Sequence, residues 1–330
     1  MTKRPIARTY RATARNLGLL ARRLQAGELV AVPTETVYGL AANAFDAAAC
    51  RKIFRAKGRP TTDPLIVHIH SLRQLALVCR PNAAALTLAR EFWPGPLTLV
   101  LPKTPAVPGI VTAGKSSVAV RMPRHPAFRR LLALAGVPVA APSANPFGYV
   151  SPTTARHVVD NLGDKIGYIL DGGPAQIGLE STIVDLRDPR KPRLLRPGAV
   201  SKKDLERSLH RAVTLQPART GGALAARAQI APGLLPRHYS PRTPVVLHAQ
   251  IKRTIPAGEA FVFIRRPQGR QASNVFWLDP RGELRGAARR LFATLRQLDR
   301  QGFAKIHVEL AGGEGISAAI NDRLRRAANR

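Results

Sequence analysis

Cysteine is almost missing from this sequence: Cys50 and Cys79 are the only two in 330 residues. Two thiols cannot build a disulfide framework, and no Cys/His cluster at ligand spacing accompanies them to make a metal centre. Long apolar runs are missing too. The longest, 131–142, contains Gly136 and Pro138 and falls short of the roughly 20 residues of a membrane helix. The N-terminal MTKRPIART is basic with no apolar stretch behind it, which argues against a secretory signal and for a cytoplasmic protein. Aromatic residues are only 5%, and no RNA-recognition aromatic signature or double-stranded-RNA pattern occurs. There is no Walker A loop and no Gly-x-Gly-x-x-Gly turn opening a helix after a strand.

Acidic residues are scarce as well. Twenty Asp and Glu face 52 Lys and Arg, a formal net charge of +32, and 41 of the 52 are arginine. Residues 1–200 hold 28 basic and 11 acidic side chains; residues 201–330 hold 24 and 9. An excess spread this evenly is no basic tail. It is compatible with weak non-specific attraction of RNA or polyphosphate, or with arginine-rich drift on an ordinary enzyme; the spread favours the second. Net charge bears on association rather than on fold.

With 45% apolar residues, the chain can bury a core in each of about two domains. Leu17, Leu20 and Leu24 fall at helical spacing, so a first helix is expected over 9–26. Strands are expected at 29–32, 65–69, 97–101, 118–122, 137–141, 168–170 and 182–184. Helices are expected over 46–57, 71–78, 81–92 (with Pro81 in its first turn), 126–134, 153–162 and 201–208. This alternation is α/β, with several connections too short for ordinary crossovers. Residues 209–242 hold Pro217, Pro232, Pro236 and Pro241 with Gly221, Gly222 and Gly233 and read as a linker. Beyond it, strands at 245–247, 260–264 and 306–309 and helices at 284–298 and 316–327 form a smaller α/β unit.

Four loops carry candidate chemistry. Lys57-Gly58-Arg59-Pro60, with Asp63-Pro64 following, places two cations beside a glycine: a basic helix end, or a clamp for phosphate or carboxylate. Pro142-Ser143-Ala144-Asn145 lies just past a strand's carboxyl end, where α/β sheets bind ligands. Gly178-Leu179-Glu180-Ser181-Thr182 leads hydroxyls into a strand. The 32–40 segment is an unusually hydroxyl-rich break between apolar stretches. Arg121 and Arg196 add two cations beside proline-containing turns. Taken singly, each has a plain reading as a turn, a cap or a surface arginine.

Together these segments resemble one family, the YrdC-type threonylcarbamoyl-AMP synthases. The matching pieces are PTETVYGL at 33–40, KGRP at 57–60, DPLIVHI at 63–69, WPGPLTLVL at 93–101, VAVRMP at 118–123, APSAN at 141–145, GLESTIVD at 178–185 and LLRPG at 194–198. They stand in the family's order over about residues 15–210. PGLLPRHYSP at 232–241 resembles the linker element of the long, two-domain subclass. The resemblance implies an open twisted mixed sheet as catalytic domain (1–209), a Pro/Gly-rich linker able to act as an active-site lid (210–243), and a small Rossmann-like domain (244–330).

It also implies a nucleotidyl transfer. L-threonine, bicarbonate and ATP give L-threonylcarbamoyladenylate and pyrophosphate, for threonylcarbamoyladenosine modification of tRNA by a downstream transfer machinery. The family's Lys-x-Arg and Ser-x-Asn signature falls on Lys57, Arg59, Ser143 and Asn145. Threonine contacts fall on Thr36, His68, Arg121, Ala141 and Ser181. ATP contacts fall on Arg59, Asp63, Ser117, Ser143, Ser151, Arg196 and Tyr239. Mg²⁺ would arrive with ATP, since no carboxylate cage is visible. The chain departs from the family pattern at Asp63, where Asn is frequent, and at Ser240, where Ala is usual; a carboxylate at 63 needs a cation or a hydrogen bond beside a triphosphate. Two rival readings are a non-catalytic RNA binder, supported by the charge, and carbamoyl transfer in hydrogenase maturation, opposed by the lack of a cysteine-rich zinc module.

Overall fold

The computed structural model describes residues 7–216, 228–235, 238–251, 256–269 and 272–329. In chain order the first part runs β1 (Arg8–Arg11), α1 (Ala14–Gln25), β2 (Val30–Val32), β3 (Gly39–Asn43), α2 (Ala47–Lys57), β4 (Ile66–His68), α3 (Leu72–Val78), α4 (Ala83–Phe92), β5 (Leu97–Pro102), β6 (Ser117–Arg121), α5 (Pro126–Ala135), β7 (Val139–Ala140), α6 (Ala155–Leu162), β8 (Tyr168–Asp171), β9 (Thr182–Asp185), β10 (Arg193–Arg196), α7 (Lys202–Leu209) and β11 (Thr214–Leu215). The second part runs β12 (Val245–His248), β13 (Ala260–Arg265), β14 (Val275–Asp279), α8 (Leu284–Asp299), β15 (Ile306–Glu309) and α9 (Ser317–Ala328).

The first part is one eleven-stranded sheet, ordered β1-β8-β2-β3-β7-β4-β6-β5-β9-β10-β11. Pairing is mixed: β4 runs parallel to β6 but antiparallel to β7, and β9 runs parallel to β5 but antiparallel to β10. The second part is a four-stranded, wholly parallel sheet ordered β12-β15-β13-β14, the Rossmann-like arrangement expected there.

Local signals set most helix ends. Asp46 caps α2 by accepting from the backbone of Ala48 and Ala49, and Gly58 closes it at φ +62, a left-handed turn that glycine adopts without a Cβ penalty. Ser201 and Asp204 form a reciprocal capping box at α7. The sequence-based expectations need correction elsewhere. Residues 8–11 are not helical: they pair with β8, and Tyr10 packs against Tyr168 at 6.2 Å. The first helix begins only after the Thr13 cap. Pro81 stands outside α4, which Asn82 caps. Strands β3, β10, β11 and β14 lie where no strand was expected: β3 is joined by the remote β7, whereas β10, β11 and β14 each pair with the strand that precedes them in the chain. Within the linker range, β11 adds an edge to the large sheet; Pro217, Gly221, Gly222 and Pro236 lie outside the described residues.

The two parts are in contact. The Tyr149 hydroxyl donates to Asp299 at 2.7 Å. The buried Arg296 of α8 donates to the carbonyls of Val150 and Ser151, and stacks over Tyr149. Among the described residues no helix is long and apolar enough to cross a membrane.

Helices α1 and α5 pack together through Leu17, Leu20, Leu24, Phe128, Leu131 and Leu132. Leu20 is fully buried, so Leu20→Ala should cost about 2–5 kcal/mol through lost transfer energy and the cavity left behind. A urea melt checks this; a loss below about 1 kcal/mol would contradict the packing.

Candidate active site

One cavity gathers the central strands and four loops. Its wall includes Thr34, Thr36 and Gly39 from the β2–β3 connection, Ile66 and His68 of β4, and Arg121 of β6. The segment after β7 gives Ala141, Pro142 and Ser143; the loop before β9 gives Glu180 and Ser181; β10 ends in Arg196. Arg59 and the strap residues Pro232, Gly233, His238 and Tyr239 complete it. The free space is about 50 Å³, room for little more than water.

The charged groups here are buried; Arg121 and Arg59 meet carboxylates, and Arg196 meets neutral oxygens only. Arg121, 3% exposed, pairs with Glu35 at 2.7 Å and donates to Thr36 Oγ1 at 2.8 Å and to the Gly95 carbonyl at 3.1 Å. Two of its five N–H groups are thus in hydrogen bonds, and its contact with Glu35 is an ion pair. Thr34 Oγ1 and Thr36 Oγ1 lie 2.7 Å apart in one hydroxyl chain. Arg59 pairs with Asp63 at 2.9 Å and donates to the Asp63 and Pro64 carbonyls. Arg196 holds Ser181 by both its carbonyl and its hydroxyl, and reaches the Pro232 carbonyl of the strap.

Burial decides the protonation states. It pushes the Lys57 ammonium well below its ordinary value, aided by the neighbouring charge of Arg59. The Asp63 carboxyl is raised by burial against the pull of Arg59, Lys57 and Arg196. His68 is driven down to about 3 by burial and then by Arg121, so it is a neutral imidazole at working pH. His238 is likewise held neutral, by burial and by Arg59, Lys57, Arg196 and Arg326. Burial raises the Tyr239 phenol.

The strap is built for close approach. Tyr239 sits at φ +63, a costly conformation for a bulky residue. Gly233 has φ +75, and a Cβ there would lie 2.8 Å from both Arg196 Nη1 and the Tyr239 hydroxyl. A side chain at 233 would therefore be strained in φ and would displace Arg196 or Tyr239.

A family model described as "Telomere recombination" (Sua5, YciO, YrdC) matches residues 22–198, and one described as "Threonylcarbamoyl-AMP synthase, C-terminal domain" matches 200–329. The threonylcarbamoyl-AMP synthase of Pyrococcus abyssi is 41% identical over 320 residues, covering 92% of this chain and 91% of its own. The chain belongs to the threonylcarbamoyl-AMP synthase family. The Bacillus subtilis member is 39% identical over 323 residues, covering 92% and 90% of the two chains. The crystal structure of P. abyssi Sua5 with L-threonine superposes with a TM-score of 0.87 at 38% identity, covering 98% of this chain and 97% of that one.

The family's motifs thus converge, though not all on the cavity wall. Thr36, Arg59, His68, Arg121, Ala141, Ser143, Ser181, Arg196 and Tyr239 line it. Lys57 stands behind: its ammonium, 2.6 Å from the Ser143 carbonyl, also donates to the Asn145 carbonyl and so ties α2 to the Ser-x-Asn loop. Asn145 is turned away, donating to the Pro146 and Tyr149 carbonyls. Asp63 is held by Arg59. Ser151 Oγ donates to Glu180, and Ser117 lies buried at the far end of β6 from Arg121. Not singled out from sequence were Thr34, Glu35, Glu180 and His238. In a chain this poor in acids, a glutamate inside a hydroxyl-rich loop was the one available signal.

The low value of His68 makes stability pH-dependent. Between about 6.5 and about 3 the unfolded chain takes a proton that the native imidazole refuses. Its contribution is whole above pH 6.5 and drains away as pH falls, at about 1.4 kcal/mol per unit. His68→Asn should therefore flatten the fall in urea-melt stability between pH 6.5 and 5 by about 2 kcal/mol; an unaltered acid limb would show that His68 is not the group responsible.

Proposed function

We propose that this chain condenses L-threonine, bicarbonate and ATP to L-threonylcarbamoyladenylate, pyrophosphate and water, supplying the threonylcarbamoyl group that tRNA modification consumes. The observation that carries the reading is the cavity itself, whose wall joins Arg121, hydrogen-bonded to Thr36, with Arg59, Arg196, Ser143 and Ser181. Threonine's carboxylate pairs with the Arg121 guanidinium, and the hydroxyls of Thr36 and Ser181 orient its other polar groups. Neutral His68 accepts or donates a hydrogen bond without adding charge.

The amine captures bicarbonate carbon as an N-carboxylate, whose oxygen attacks the α-phosphorus while pyrophosphate departs. Such a transfer depends on alignment and on positive charge fixed in advance more than on a protein acid or base. Arg59 and Arg196 supply that charge, with Lys57 holding the Ser143 loop at the reacting face. Among the described residues no group of three or more His, Cys, Asp or Glu can hold a metal, and Asp63 and Glu180 are each paired with arginine. On this reading Mg²⁺ would arrive with the substrate as its ATP complex.

A nucleotide pocket needs several hundred Å³, far more than the space left here, so the strap has to withdraw for ATP and return over it as a lid. Closure keeps water from a labile mixed anhydride. The cytoplasm, where tRNA and ATP meet, is the compartment this reading implies.

The deciding experiment is pyrophosphate release from ATP that requires both threonine and bicarbonate, with the adenylate identified by mass spectrometry. Release indifferent to threonine would reject the reading. Lys57→Ala should lower turnover roughly 10²–10³-fold; near-normal turnover would remove Lys57 from the machinery. Removing the strap residues 232–241 should raise ATP hydrolysis relative to adenylate formed, measured as the ratio of AMP to product, and an unchanged ratio would discard the lid.

A further inference from the structure

The largest fully buried side chain described is a cation from the other domain: Arg323 of α9 has no exposed surface. Its Nε donates to Glu180 Oε2 at 2.8 Å, across 143 positions of sequence. One terminal nitrogen donates to the Glu180 carbonyl (3.4 Å) and the Pro197 carbonyl (3.1 Å); the other donates to its neighbour Asp322 at 2.6 Å. The guanidinium also lies over the Tyr239 ring at 5.2 Å.

Apart from Asp322, each of these partners lines the cavity or adjoins a residue that does. Glu180 lines the cavity, accepts from Ser151 and precedes Ser181, and Pro197 follows Arg196. Arg323 thus grips from behind the two loops whose front faces are joined by the Arg196–Ser181 bonds. The same helix holds the strap: Arg326, paired with Asp322, donates to the Leu235 carbonyl at 2.7 Å, and Ser240 Oγ donates to the Arg326 carbonyl.

We propose that Arg323 is a positioning residue of the adenylate-forming site, through which the C-terminal domain sets the Glu180–Ser181 loop and seats Tyr239 over the cavity. The inference rests on the function proposed above. A planar five-donor fork can span Glu180 and Pro197 together, whereas an ammonium cannot. The small domain is on this view part of the closed site, and its engagement with the catalytic domain and the seating of the strap are one event.

The test uses the full-length chain and three variants: Arg323→Met, Arg323→Lys and, as a control that loosens the domain contact away from the cavity, Tyr149→Phe. Binding of L-threonine and of a non-hydrolysable ATP analogue is measured by calorimetry, beside KM, kcat and the melting temperature. Arg323→Met should weaken ligand binding at least tenfold and raise both KM values more than it lowers kcat. Arg323→Lys, which keeps the charge and so the fold, should fall between it and the parent. Tyr149→Phe should bind as the parent does, whatever its melting temperature. The proposal is overturned if folded Arg323→Lys binds both ligands within twofold of the parent, or if Tyr149→Phe loses binding in proportion to stability. Should the parent bind the ligands yet form no adenylate, the proposed reaction fails while the positioning role is still decided by the binding data.

Discussion

Burying cations in one small volume is the constraint around which this site is built. Lys57, Arg59, Arg121, Arg196 and Arg323 are each no more than 6% exposed, and an unmatched buried charge costs several kcal/mol. The chain answers with three carboxylates, Glu35 for Arg121, Asp63 for Arg59 and Glu180 for Arg323, and with main-chain carbonyls for Lys57 and Arg196. Three of only twenty acidic residues are committed to this cavity. Local pairing rather than the formal +32 governs the chemistry.

That matching explains Asp63, the position where a carboxylate looked out of place. It faces Arg59, with Lys57 and Arg196 acting on it in turn, so it lowers the positive charge of a cluster otherwise hard to bury. The strap follows the same logic. Its carbonyls at Pro232 and Leu235 meet Arg196 and Arg326, and its aromatic ring meets Arg323. The strap thus presents acceptors and a π face to arginines. On the proposed function, phosphate oxygens would compete for the same kind of donor, so ATP would have a physical means of displacing the strap before being covered by it.

Much of this was legible along the chain. Caps such as Asp46 and the Ser201–Asp204 box mark helix ends because their hydrogen bonds span three residues. The loops bearing Thr36, Arg59, Ser143 and Ser181 stand out because hydroxyls, glycines and cations interrupt apolar strands. Residues 8–11 and 193–196 were misread because their strand character comes from partners more than a hundred residues away or from a bulged antiparallel neighbour. Lys57 and Asn145 were identified as signature residues, but their orientation behind the wall was not: a motif names a side chain and does not aim it.

The sequence by itself determined the two-part α/β organisation, the family and the set of side chains available to the site, because those rest on periodicity, turn chemistry and ordered motifs that act over short spans. Only the tertiary structure decided which cation meets which acid and that the second domain reaches the first domain's site through Arg323. It also decided that Tyr239 lines the cavity with its ring against Arg323. Charge pairing is strong and unselective along a chain carrying 52 cations, so the choice among partners falls to packing, which brings Glu180 and Arg323 within 2.8 Å across two domains.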